Sequence, residues 1–459
     1  MARITTRDVL QALNKSLITF APSGLGEDSF TDVVVDSRKA TPGCLFVALK
    51  GESVDGHNFA ADALARGARG LLLERQVEFP DTPGYRPTAF IVKNPLDGLQ
   101  KLAHYWRAKH DVSVVAVTGS VGKSSTKELI ASVLSARFNV LKNEGNLNTE
   151  IGLPMVLLGL DSSTQQVVLE MGMYGPGEIR QLCQIAKPDI GVVTNVGHSH
   201  LERLGSLEAV AGAKAELVEC LPEGGTAILN GDDPLVRGMA NRSRARILTY
   251  GMDPALDVWA SDLESKGLAG ISFVLHHGDV TYPLRVRLLG RHSVNTALAA
   301  AAAGLVHGLT WEEVASGLEM AREFRLLPTP GLRGSLIIDD TYNASPASTL
   351  AALELLAELT GRKIAVLGDM RELGPYEIEG HLRVGRRAAQ TVDILVVLGG
   401  KAALAGREAS AAGAHVIFAS SREEASARLL SLLQEGDVVL VKGSRAMGME
   451  EIVERLKEK

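Results

Sequence analysis

The sequence predicts an α/β fold in three domains, the central one built on a parallel sheet and the last a Rossmann-like doubly wound sheet. Three observations carry that expectation. Short apolar, β-branched runs alternate with helical stretches along most of the chain, the pattern of parallel strands covered on both faces. One of these runs, VSVVAVTGS, leads through a Gly-rich turn into a helix. The chain has 459 residues, about three domains at roughly 150 residues each.

The first block spans 1–110. It carries the strand-like runs TDVVVDSR, CLFVAL, GLLLE and TAFIV, and a helix-like stretch from Asn58 to Arg66. Pro42-Gly43, Gly51, Pro80 and Pro83-Gly84 punctuate it, and the helical pattern from Leu96 to Lys109 leads out of it. The second block spans 111–320. Its buried strands are VSVVAVTGS, QVVLEMG, DIGVVTNVG, TAILNGDD and RILTYG; from Ala255 to Arg287 the period falls to two, as in antiparallel strands, and an alanine-rich helix follows from Ser293 to His307. The third block, 321–459, repeats one unit: SLIIDD, KIAVLGDM, DILVVLGG, HVIFAS and DVVLVKGS are each followed by a helix, which gives the doubly wound expectation.

Composition narrows the class. Hydrophobic residues at 46% and charged residues at 22% supply real cores, and aromatics at 4% make those cores aliphatic and alanine-rich. A net charge of -6 argues against a chain-wide nucleic-acid or anionic-membrane footprint. Cys44, Cys183 and Cys220 have no metal-ligand spacing and suit a reducing compartment. The N-terminus MARITTRDVLQALNKSL lacks the apolar stretch of a signal peptide, and the longest apolar run, 297–306, has ten residues where a membrane span needs roughly 20. The expectation is a cytoplasmic monomer with no membrane span and no nucleic-acid partner.

The sharpest local signal is VAVTGSVGKSST, residues 115–126. A strand, a Gly-rich turn and a helix starting near Lys123 form the context of a phosphate-binding P-loop. The backbone amides of Gly119, Ser120, Val121, Gly122, Lys123, Ser124 and Ser125 can face one concavity at the positive end of the helix. Lys123 can reach β/γ phosphates and the Ser124 hydroxyl can ligate a magnesium ion. The general pattern places a glycine five positions before Gly122; here that residue is Val117 and the glycine comes at Gly119, so the loop is a variant. Glu170 closes the strand QVVLE, at a carboxyl edge where ligands bind and a carboxylate can hold the metal of a nucleotide. His198 and His200 follow the next strand and are metal ligands, bases or plain loop residues. Lys214 lies on a helix, where a lysine is ordinarily a solvated charge.

Nine strings taken in order resemble the Mur ligases: GSVGKSSTK (119–127), NEGNLNTEIGLP (143–154), EMG (170–172), TNVGHSHLERLGS (194–206), AKAE (213–216), GRHSVNTALAA (290–300), DDTYNASP (339–346), LGDMRELG (367–374) and KGS (442–444). Within that family, DDTYNASP and LGDMRELG are similar to the branch that joins D-alanyl-D-alanine to UDP-N-acetylmuramoyl-tripeptide. The resemblance implies a UDP-substrate domain over 1–110, an ATP-binding domain over 111–320 and a C-terminal domain over 321–459, with ATP and Mg2+ as cofactors. It implies Lys123, Glu170, His200 and Lys214 as catalytic. Ser124, Glu170, His200 and Lys214, the last as a carbamate, are implied metal ligands, whereas His198 is extra to the pattern. Asn295 is implied near adenine, Arg325 on the phosphates with Arg333 as the fallback, and Asp340 near the ribose. Ser37, Arg38, Asp55 and His57, then Asn146, Asn148 and Thr149, then Tyr342, Asn343 and Ser345 are implied on the substrates. Thr149 and Ser345 replace asparagines usual in the family strings, and Phe324 replaces the glycine usual before the arginine.

Three rivals remain at this stage. A sister ligase would add one amino acid; a folylpolyglutamate synthase would lack the first block. A P-loop switch without ligase chemistry would show Asn-Lys-x-Asp after a later strand, and that string is missing there.

Overall fold

The computed structural model describes residues 4–23, 29–51, 53–78, 86–199, 201–321 and 325–458, and over them the fold is α/β. The chain divides into two units, and each is described by itself. The first holds 1–116, 138–173 and 177–189; the second holds 117–137, 174–176 and 190–459.

In the first unit the strands Leu17–Ala21, Thr88–Val92, Gly70–Leu73, Leu45–Val47 and Val33–Val34 lie side by side in that order. The first pair is antiparallel and the rest are parallel. Gly70 lets the sheet close on the ring of Phe30, since a Cβ there would strike that ring and the Leu45 side chain. The helix Pro95–Ala108 starts where Asn94 accepts from the amides of Leu96 and Asp97, with Pro95 in the first turn, where no amide is missed. Strands Val140–Lys142 and Gln166–Glu170 form a parallel pair in the same unit. The strand Leu17–Ala21 was not anticipated: its half-exposed residues follow no period of two.

In the second unit Ile190–Val193, Thr226–Asn230, Arg246–Gly251 and Val258–Ser265 run parallel, and Ile271–His277 and Val280–Val286 extend the sheet antiparallel. This is the change of period read from Ala255 onward. The helix Ser293–Val306 buries alanines 297 and 299–303 against the sheet and the helix Lys123–Leu134. The helix Trp311–Met320 packs on Lys123–Leu134 as well, and Gly317 is needed there because a Cβ would enter the backbone of Val133. Small side chains at close helix approaches explain why the cores need few aromatics.

The same unit carries a six-stranded sheet ordered Leu327–Gly331, Ser335–Asp340, Val438–Lys442, Lys363–Gly368, Ile394–Leu398 and His415–Ala419. All neighbours from Ser335–Asp340 onward are parallel. The five repeated units are therefore present. The sixth strand, Leu327–Gly331, pairs antiparallel at the edge, and Pro328 and Pro330 hid it: proline demotes a strand in sequence but is tolerated where no neighbour needs the missing amide. The strand last in sequence, Val438–Lys442, lies between the first two parallel ones. Its carboxyl end and those of its neighbours bring Asp340, Lys442 and Gly368 to one edge, with the loops 341–345, 369–373 and 443–444 beyond it. Such an edge is where open α/β sheets bind ligands.

Candidate functional site

The phosphate loop is held from below by the segment after the strand Ile190–Val193. Asn195 Oδ1 accepts from the Val121 amide at 2.8 Å, and its Nδ2 donates to the Val121 carbonyl at 2.9 Å. Thr194 Oγ1 donates to the same carbonyl at 2.7 Å, and the Ser120 amide donates to Asn195 O. Ser120 Oγ accepts from the Gly197 amide at 2.8 Å. Gly119, at φ 154°, must be glycine, because a Cβ would collide with Thr194 Oγ1. This corrects one expectation: the amides of Ser120 and Val121 are spent on Asn195 and do not face a ligand. The amides that begin the helix, from Gly122 through Ser125, lie at its positive end, where an anion is favoured. Gly122 takes φ 83° to start it. Lys123 folds over the loop, with Nζ 3.0 Å from Gly119 O.

Lys214 overturns the ordinary reading of a helical lysine. It lies on the helix Leu207–Glu219, capped by Ser206, and is 1% exposed. Burial, and after it the charge of Lys123, holds its amine well below the usual lysine range. A buried lysine that also feels the charge of the half-buried Lys123 marks a place that an anion would stabilise. His198 stacks on Tyr376 with ring centroids 3.7 Å apart, and burial and then Arg383 keep its imidazole pKa below the ordinary value. His200, an expected metal ligand, lies outside the described residues.

At the edge of the six-stranded sheet, Lys442 Nζ donates to Asp340 Oδ2 at 2.5 Å and to Asn343 O at 2.9 Å. The Arg325 guanidinium sits 3.8 Å over the Tyr342 ring, and Arg445 lies 5.8 Å from it. Leu327 pairs with Asp339, so Arg325 belongs to the ligand edge. Arg333 sits at the hairpin turn at the other end of these strands, donating to Leu433 O, and so is no substitute for Arg325. Ser345 is a helix cap: its Oγ accepts from the Ser348 amide and donates to Ser348 Oγ. Asn343 Oδ1 accepts from the Ala344 amide. Asn295 Oδ1 is buried with no hydrogen-bond partner among the described residues, an acceptor awaiting a donor.

In the first unit, Glu170 is 4% exposed, and Asn148 Nδ2 donates to its Oε1 at 2.7 Å. Asn143, fully buried, grips its backbone: Oδ1 accepts from the Glu170 amide and Nδ2 donates to the Glu170 carbonyl. Asn146 is exposed, and Thr149 Oγ1 accepts from the Gly152 amide. Asp36 binds Arg38 through both carboxylate oxygens, which hold its pKa at about 2. Ser37 is buried and Arg38 is exposed. The His57 ring is fully engaged: Nδ1 donates to Asp55 Oδ1 at 2.6 Å and Nε2 accepts from the Glu74 amide at 2.9 Å. His57 is thus a strut of its turn, with Arg75 on the other Asp55 oxygen.

Family models match three stretches: the Mur ligase family catalytic domain at 29–107, the Mur ligase middle domain at 117–304, and the Mur ligase glutamate ligase domain at 324–445. The chain belongs to the Mur ligase family. A UDP-N-acetylmuramoyl-tripeptide--D-alanyl-D-alanine ligase of Escherichia coli is 38% identical over 440 residues, covering 94% of this chain and 95% of that one. A crystal structure of MurF from Acinetobacter baumannii aligns with a TM-score of 0.90 at 31% identity, covering 100% of both chains. MurF of Thermotoga maritima in complex with ADP aligns with a TM-score of 0.81 at 31% identity, covering 92% of this chain and 96% of that one.

Within this Mur ligase, sequence reasoning missed Asn143, Thr194, Asn195, Tyr376 and Lys442. All but Tyr376, two residues past LGDMRELG, lie inside strings that carried the resemblance, so the family signal reached them. No role followed, because each acts by bracing another residue across the fold.

Proposed function

We propose that this chain joins D-alanyl-D-alanine to UDP-N-acetylmuramoyl-tripeptide in the cytoplasm, using ATP and forming an acyl phosphate on the tripeptide carboxylate. The full-length similarity to ligases of that name carries the reading, and the loop Gly119–Ser125 with its two neighbouring lysines supports it. We further propose that 1–110 binds the UDP-substrate, 111–320 binds ATP and 321–459 binds the dipeptide.

A carboxylate repels an amine and has no leaving group. Phosphorylation makes phosphate the leaving group, but first brings two anions together. Lys123, the helix-start amides and Arg325 are placed to offset that charge. Asn295 Oδ1 would accept from the adenine amine, and Asp340 would face the ribose. The dipeptide amine then attacks the acyl carbon, phosphate departs, and an amide, ADP and phosphate result. Closure around the nucleotide would keep water from the acyl phosphate.

Among the described residues no three His, Cys, Asp or Glu side chains cluster as a metal site. Ser124, Glu170, His200 and a carbamate on Lys214 would hold Mg2+, mostly through oxygen, as a hard cation prefers. Lys214 fits that modification: a buried amine with a lowered pKa is the neutral nucleophile that takes up carbon dioxide, and the product removes the repulsion with Lys123. Bound there, the ion would supply charge neutralisation to the phosphates.

The test is phosphate release from ATP with the UDP-tripeptide and, in turn, D-alanyl-D-alanine, D-alanine or L-amino acids. Turnover with mass gain for the dipeptide alone is expected; turnover with a single amino acid would assign a sister activity. Lys123→Ala should lower kcat/KM by about 10³-fold with the fold intact, and full activity would refute the loop's role.

A further inference from the structure

Lys442 ends a central strand of the six-stranded sheet and is 2% exposed. A buried ammonium is costly unless matched by charge and acceptors, and an aliphatic side chain would fill the same core position at less cost. Its two partners explain its presence. Asp340 closes the neighbouring strand, and Asn343 O lies in the middle of the loop 341–345.

That loop is secured at both ends by its own residues. The Thr341 amide and hydroxyl donate to Asp339 Oδ1, at 3.0 and 2.7 Å, and Ser345 caps the following helix. Between these anchors Tyr342 and Asn343 are exposed, and the Asn343 side chain bonds only to the next residue among the described contacts. The bond from Lys442 is the hydrogen bond that reaches this exposed middle from another segment. Burial pulls the Lys442 pKa down, and Asp340 opposes that pull.

We infer that Lys442 is a positioning residue, which ties the exposed Tyr342–Asn343 segment to Asp340 so that the dipeptide-facing loop and the nucleotide-facing carboxylate are held as one piece. The inference rests on the reading of loop 341–345 as the dipeptide site. A role in stability alone would lower the fraction of active protein and leave KM untouched. A positioning role raises KM for the dipeptide.

The experiment compares the full chain with Lys442→Met and with the double variant Asp340→Asn/Lys442→Met, which leaves no unpaired buried charge. Each is checked by circular dichroism and melting, and KM is measured for D-alanyl-D-alanine, the UDP-tripeptide and ATP. The expected result is a dipeptide KM raised about tenfold or more in a folded variant, with the UDP-tripeptide KM moving less than about threefold. A folded variant with unchanged dipeptide KM overturns the inference. So does failure of both variants to fold, which would assign the ion pair to core stability. An unmodified chain that does not join the dipeptide at all refutes the proposed function instead, and is seen before any variant is measured.

Discussion

Asn195→Ala tests whether the phosphate loop depends on the brace beneath it. The substitution deletes the bonds to the amide and carbonyl of Val121, at 2.8 and 2.9 Å. Each is worth about 1 kcal/mol net, and both residues are half-buried, so water replaces part of the loss. Thr194 Oγ1 still reaches the Val121 carbonyl, which leaves the amide as the group stranded. A loss of about 2 kcal/mol in loop order corresponds to about 30-fold in nucleotide affinity if the loop must be formed to bind. Calorimetric titration with ADP reads this directly, and the KM for ATP in the phosphate-release assay should move with it. Melting should fall by only a few degrees, because the brace is local. Asn195→Asp should be worse than alanine: it keeps the acceptor for the Val121 amide but sets a carboxylate against the Val121 carbonyl and beneath bound phosphate. An alanine variant with ADP affinity within twofold of the parent would refute the reasoning.

The other expectations are more local. Gly119→Ala should abolish nucleotide binding in protein that still folds, since its Cβ would displace Thr194; measurable ADP binding at parental affinity would contradict this. Arg333→Ala should cost about 1 kcal/mol of stability by losing the bond to Leu433 O, with kcat/KM unchanged. Arg333→Gly should cost less, because φ 61° strains a side-chain-bearing residue; a denaturant melt that ranks glycine below alanine would count against it. Asp36, held at about 2 against an ordinary 3.8, contributes stability that is present above pH 3.8 and lost as the pH falls through 2. Asp36→Asn should therefore flatten the acid limb of the stability curve below pH 4, and an unchanged limb would show the pair to be energetically silent. Activity should fall in carbon-dioxide-free buffer and return with bicarbonate if Lys214 is carbamylated, whereas Lys214→Met should be inactive in both.

Strands buried on both faces were legible because nothing but apolar, β-branched runs such as TAILN and ILVVL can serve there. Leu17–Ala21 and Leu327–Gly331 were not, since one is half-exposed and the other carries two prolines. Within the candidate site, Gly119, Lys123 and Ser124 announced themselves by local context. Lys214 did not: the sequence Ala-Lys-Ala-Glu reads as solvated helix, and only the packing around it shows a buried amine beside Lys123. The resemblance implied substrate contacts for His57 and Ser345, and the fold uses both ring nitrogens of the one and the hydroxyl of the other to fasten the backbone. Asn143, Asn195 and Lys442 stayed hidden because their partners are 27, 74 and 102 residues away, at Glu170, Val121 and Asp340.

The proline-bearing strand Leu327–Gly331 also bears on how this protein behaves in a crowded solution. A bare sheet edge is a template on which another chain can add a strand, and the parallel strands inside this sheet are the uncharged, β-branched type from which aggregates grow. Pro328 and Pro330 pair with Ile338 and Leu336 on the inner side, and alternate residues of a strand direct their amides to the same side. Where an exposed edge would display two donors in succession, this one displays pyrrolidine rings. The Glu458 amide donates to Pro330 O, and Gly331 bridges Lys457, so the end of that flank is already taken by the chain's own C-terminal segment, and an arriving strand finds neither successive donors nor a free run of acceptors.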